Sequence, residues 1–184
     1  VSVDGGTIKL DGNYPTGTNN VALGDGALDD GSLSGSSNTG IGSFALTNNT
    51  SGASNTALGF AAVGDTTTGS FNTGIGTSAL ENNTTASGLT AVGYNTLVAN
   101  TTGAGNTAVG ADSMDVNTTG IRNAALGNGT LGLNVTGNYN AAFGWGSLGA
   151  NTASNNTAVG YTAGYTNTTG YNNAAFGNQA FYYN

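Results

Sequence analysis

The sequence predicts an all-β chain, a parallel β-solenoid (β-roll) of about ten 17-residue coils, and three observations point there. A five-residue unit, Asn-Thr-Ala-aliphatic-Gly, starts at Asn20, Asn38, Asn55, Asn72, Leu89, Asn106, Asn123, Asn140, Asn156 and Asn173. Successive starts differ by 18, 17, 17, 17, 17, 17, 17, 16 and 17 residues. Gly holds the fifth position of every copy, and large apolar side chains return in two columns, at the fourth and ninth positions.

The period comes first. Seventeen residues are too few for a helical repeat or a propeller blade, and they fit one solenoid coil of two short strands and two turns. One insertion near Leu33 and one deletion near Ala153 account for the two irregular spacings. The fourth-position column reads Leu23, Ile41, Leu58, Ile75, Val92, Val109, Leu126, Phe143, Val159, Phe176. The ninth reads Leu28, Leu46, Val63, Leu80, Leu97, Met114, Leu131, Leu148, Gly164, Phe181, and the two columns are expected to face each other across a thin core. The invariant fifth-position Gly marks a corner, where the backbone bends or passes too close to a neighbour for a Cβ. The third and eighth positions hold only Ala, Gly, Ser or Thr (Ala108 and Ser113, Ala142 and Ser147, Ala158 and Ala163, for example), which predicts close packing against the opposite wall of the coil or against another chain.

A second corner falls at Asn100-Thr-Thr-Gly103, Asn117-Thr-Thr-Gly120 and Asn167-Thr-Thr-Gly170, residues that make turns and tolerate positive φ. Stacked coil on coil, their Asn and Thr side chains are expected to hydrogen-bond in ladders along the axis. Residues 1–18 follow another pattern and read as a cap or neck, with a strand at Thr7–Leu10 and a turn at Asp11–Asn13, ahead of the repeat domain at 19–184. The apolar finish at Phe181, Tyr182 and Tyr183 predicts that the chain continues or that a partner covers this end. A core this thin also predicts that several chains pack together, and the expectation is a homotrimer.

Composition narrows function. The chain has no Cys and no His, which excludes disulfide frameworks, thiolate chemistry, the usual zinc sites and every imidazole-dependent triad. Nine acids stand against Lys9 and Arg122 alone, so no basic surface is available for nucleic acid. No apolar run approaches the roughly 20 residues that span a bilayer, and residues 1–6 show neither the basic nor the apolar region of a signal peptide. The expectation is a non-enzymatic protein without cofactor or metal, located outside the cell after loss of a leader, excision from a longer chain, or lysis.

The units Asn106-Thr-Ala-Val-Gly110, Asn156-Thr-Ala-Val-Gly-Tyr161 and Asn167-Thr-Thr-Gly-Tyr171 resemble the Gly/Asn/Thr-rich repeats of bacteriophage tail or appendage fibres, cyanophage-type fibres especially. They are also similar to the heads of trimeric autotransporter adhesins, whose shorter repeats form left-handed parallel β-rolls packed as trimers. The likeness covers roughly residues 19–184. It implies a trimeric fibre on the outside of a particle or cell, with other virion or appendage proteins as partners, and transfers no catalytic or binding residue. The expected function is a stiff virion spacer that also serves host attachment, with a bacterial adhesin head as the alternative and ice binding as a third class.

Candidate sites are few. Asp25 with Asp29 and Asp30, and Asp112 with Asp115, form two acidic clusters that read as solvated turns, since each is missing from neighbouring coils. Aromatics gather late in the chain, and sugar rings stack on exposed aromatic faces, so Tyr94, Trp145, Tyr161, Tyr165 and Tyr171 are the candidate contacts to a host-surface glycan or receptor. Tyr94, Trp145 and Tyr161 share the sixth position; Phe143 is assigned to the inward column and set aside. The Thr pairs Thr84-Thr85, Thr101-Thr102 and Thr118-Thr119 recur at the coil spacing but fall in a turn, which argues against a flat ice-binding array. Asn83-Thr-Thr85 and Asn134-Val-Thr136 match the glycosylation sequon, a match that composition alone produces.

Overall fold

A computed structural model describes residues 17–182. The expected strand and turn at 7–13 lie outside them. Ten three-residue strands follow one another: β1 (Val21–Leu23), β2 (Thr39–Ile41), β3 (Thr56–Leu58), β4 (Thr73–Ile75), β5 (Thr90–Val92), β6 (Thr107–Val109), β7 (Ala124–Leu126), β8 (Ala141–Phe143), β9 (Thr157–Val159) and β10 (Ala174–Phe176). They form one sheet in chain order, every pair parallel, with like residues in register: Ala91 over Ala108, Val92 over Val109. The chain is a β-solenoid in which each 17-residue unit closes one circuit, and no helix occurs among the described residues.

Each coil contains one strand where two were expected. The rest of the circuit is turn, yet it is bonded coil to coil throughout. Gly59 N–H donates to the Ile41 carbonyl of the preceding coil at 2.8 Å, and Val63 N–H donates to Ala79 of the following coil at 2.8 Å. Thr67 N–H donates to Thr84 at 2.9 Å, and Ser54 N–H to Ser36 at 2.9 Å. The ninth position achieves this in a left-handed backbone: Leu46, Val63, Leu80, Leu97, Met114, Leu131 and Leu148 all have φ between 51° and 58°. For leucine, and more so for β-branched Val63, such a conformation is costly in isolation. It persists because the neighbouring coils hold both ends of the turn.

The core differs from expectation in one respect. The ninth-position column is buried from Leu28 to Gly164, with Phe181 of the last coil exposed because no described coil follows it, but the fourth-position column is not: Leu23, Leu58, Ile75, Leu126, Phe143, Val159 and Phe176 are exposed, and Ile41, Val92 and Val109 are half-buried. The inward strand residue is the third, Ala22, Gly40, Ala57, Gly74, Ala91, Ala108, Ala125, Ala142, Ala158 or Ala175. The reason is the alternation of a strand, which sends positions 2 and 4 to the face opposite position 3. The small residue is dictated by the facing wall: a Cβ on Gly74 would lie 2.6 Å from Val63 Cγ2. So the small third position packs against the opposite wall of its own stack. Phe143, set aside as inward, lies outward with its column.

The fifth-position Gly is required twice over. Gly42 has φ 132°, and a Cβ there would come 2.3 Å from the Gly59 carbonyl oxygen in the next coil.

Two buried Asn columns close the remaining corner. At position 1, Asn38 Oδ1 accepts the Asn55 backbone N–H at 2.9 Å, while Asn38 Nδ2 donates to the Gly52 carbonyl of its own coil at 2.9 Å. The pattern repeats at Asn55, Asn72, Asn123, Asn140 and Asn156. At position 12, Asn134 donates to Asn117 at 3.2 Å, Asn117 to Asn100 at 2.8 Å, and Asn100 to Asn83 at 3.2 Å. The ladders expected along the axis are present, and buried amides are satisfied pairwise within them. Two orphaned oxygens mark the interruptions. Asn49 Oδ1 has no partner where Thr66 replaces the ladder Asn of the next coil, and Asn134 Oδ1 has none where the next coil is the 16-residue one, whose Asn151 donates its amide to Ala153.

Candidate functional site

With the core closed, two outward features remain. The first is the strand face. Positions 2 and 4 of all ten strands point away from the core, and position 4 is apolar in every coil without a break. Leu58 is 46% exposed and Phe176 67%, values unusual for side chains this apolar in a regular element.

The second is the sixth position, which leads the turn after the fifth-position Gly. Trp145 and Tyr161, on successive coils, stack with ring centroids 5.2 Å apart and planes 14° from parallel. They remain 50% and 52% exposed. Tyr94 is exposed in the same file but stands three coils before Trp145, separated by Ala111 and Asn128. Tyr165 occupies the tenth position, where it stacks on Tyr182 at 5.5 Å and lies over the preceding coil. A Cβ on Gly149 would meet its ring at 2.6 Å, which is why small residues stand beneath it. Tyr171 is exposed on the other side of the coil, at position 16. The structure therefore brings Trp145 and Tyr161 together and leaves Tyr94 and Tyr171 apart. Sequence reasoning passed over Asn128 and Asn178, both exposed, which bracket the Trp145–Tyr161 pair in its file; the signal was available in the sixth-position column.

The two acidic clusters lie outside the strands. Hydrogen bonds from the Ser32 hydroxyl and backbone N–H hold the Asp30 carboxyl below the usual carboxylate range. Partial burial, and then the neighbouring Asp112, push Asp115 above it. No group of three acidic, His or Cys side chains suited to a metal ion occurs among the described residues. No helix among them is long and apolar enough to cross a membrane.

The Thr pairs are partly consumed by the fold: the hydroxyls of Thr84, Thr101 and Thr118 donate to the carbonyls of the next coil at 3.2, 3.2 and 3.3 Å. The sequon asparagines Asn83 and Asn134 are fully buried ladder members whose amides are already bonded, to Thr66 and Ala86 and to Asn117 and Gly137. Comparison of the chain with protein-family models, with curated proteins and with solved structures found no match.

Proposed function

We propose that this chain is the rod of an external fibre or appendage, of the kind carried by virions, in which identical chains associate side by side and the rod acts as a stiff spacer and attachment element. The outward apolar file at position 4 supports this reading most directly. An apolar stripe repeated at every rung of a parallel stack fits a second copy of itself, because both share one rung spacing of about 4.8 Å. The file is a single residue wide, which suits three chains converging on an axis, with Val92 beside Val92 and Phe143 beside Phe143, under closed cyclic symmetry. Hydrogen bonds around the whole circuit make the rod resist bending and proteolysis.

The test is sedimentation of the wild-type chain and of a Val92→Asp, Val109→Asp variant. A trimer that falls to a folded monomer in the variant supports the reading. A wild-type chain that is folded and monomeric at micromolar concentration overturns it.

A further inference from the structure

Charge and aromaticity divide the rod. After Arg122 no charged residue occurs, and ten of the fifteen aromatic residues lie at or beyond Tyr139. Coils 7 to 10 thus carry no charge of their own and present amides, hydroxyls and rings; the one nearby cation, Arg122 of coil 6, is turned to the Tyr139 hydroxyl at 3.0 Å, at position 17 rather than position 6, and the acids lie earlier.

Within that surface the sixth-position file reads Asn128, Trp145, Tyr161, Asn178 on four successive coils, all exposed. The two rings cover one face of each other. The stack leaves the second face of each ring turned to a neighbouring rung, that of Trp145 to Asn128 and that of Tyr161 to Asn178, and both rings remain about half exposed. Glycines flank Trp145 on both sides, Gly144 and Gly146, so no neighbouring side chain on its own coil crowds the ring. Its orientation is fixed by the stack, which removes the ordering cost that a free aromatic side chain would meet on binding.

We infer that this file is a binding site for a neutral saccharide. The apolar face of a pyranose stacks on the open face of Trp145 or Tyr161, and the adjacent carboxamide of Asn128 or Asn178 exchanges hydrogen bonds with its hydroxyls. The four rungs span about 14 Å, the length of a short oligosaccharide. With no cation in these coils, sulfated, sialylated and phosphorylated glycans lack a counter-charge, which favours an uncharged ligand. The inference deepens the attachment part of the function proposed above and rests on it; the association of chains is a separate matter.

Trp145 is the chain's single tryptophan, so its fluorescence reports on this site alone. The purified full chain is titrated with neutral gluco-, manno-, galacto- and chito-oligosaccharides, with heparin and polysialic acid as charged comparisons. A saturable fluorescence change with at least one neutral oligosaccharide is expected, weakened about tenfold by Tyr161→Ala and by Asn128→Ala and preserved in Tyr161→Phe. The charged glycans are expected to give none. Absence of a saturable response to every neutral oligosaccharide overturns the site, as does binding that Tyr161→Ala and Asn128→Ala leave unchanged while circular dichroism shows both variants folded. Sedimentation of the same samples separates the two readings: a trimer without saccharide binding defeats this site alone, and a saccharide-binding monomer defeats chain association alone.

Discussion

Leu89 and Asn106 meet at a gap in the position-1 ladder. Asn72 Oδ1 accepts the Leu89 N–H at 3.0 Å, but Leu89 has no side-chain oxygen to offer Asn106 in turn. Asn106 responds by reaching back to the Gly103 carbonyl at 3.1 Å as well as to its own Gly120 at 2.7 Å, taking the acceptor that an Asn at position 89 would have used.

That relationship fixes what the ladder is worth. Asn55→Ala leaves both the Asn72 N–H and the Gly69 carbonyl without their partner in a buried corner, and is expected to cost about 2–4 kcal/mol. Leu89→Asn exchanges apolar burial for restored hydrogen bonds and is expected to fall within about 1 kcal/mol of wild type. Denaturant unfolding of the two variants checks the contrast; equal, mild effects would deny the ladder a structural role.

The fifth-position Gly is the strictest residue in the repeat. Gly59→Ala places a Cβ 2.6 Å from the Gly76 carbonyl oxygen at φ 138°, and is expected to cost more than about 4 kcal/mol or prevent folding. Gly129→Ala, at φ 62° with open space around it, is expected to cost only about 1 kcal/mol. Thermal melts followed by circular dichroism distinguish them.

The two apolar columns separate by readout. Leu97 is fully buried, and Leu97→Ala is expected to lower stability by about 2–5 kcal/mol. Leu58→Ala, in the outward file, is expected to leave the coil intact and weaken chain association, seen as concentration-dependent sedimentation.

Asp115 carries a pH signature. Its folded pKa lies above the ordinary value of 3.8, because burial, and then Asp112, disfavour the ionised form. The folded chain therefore holds this proton more tightly than the unfolded chain, and stability falls as pH rises from about 3.8 through the folded value. Asp115→Asn is expected to raise the melting temperature at pH 7 and to leave it unchanged below about pH 3.5. An equal shift at both pH values would assign the effect to packing.

Much of this architecture was legible in the residues. The period and the parallel register were readable, and each motif start stands one residue before a strand, Asn20 before Val21 and Asn173 before Ala174, whereas the second strand expected in each coil is turn. The left-handed backbone of Leu46 and Val63 was not legible, because leucine and valine rarely choose it and the constraint comes from the next coil. The outward direction of Ile41 and Leu58 was misjudged because apolarity argues for burial. The small residues between them, Gly40 and Ala57, carried the correct signal: in a three-residue strand only one position faces in. The aromatic file was half legible, as the shared register of Trp145 and Tyr161 was readable but their stacking was not.

Each 17-residue unit closes one circuit, and one distance tests it. Thr77 and Asn178 share the exposed sixth position six coils apart, and the chain has no native Cys to interfere with labelling. Spin labels on a Thr77→Cys, Asn178→Cys chain, diluted in unlabelled protein, are predicted to give a narrow dipolar distance near 29 Å. A broad distribution centred near 55 Å, as for an unstructured segment of that length, would contradict the coil stack.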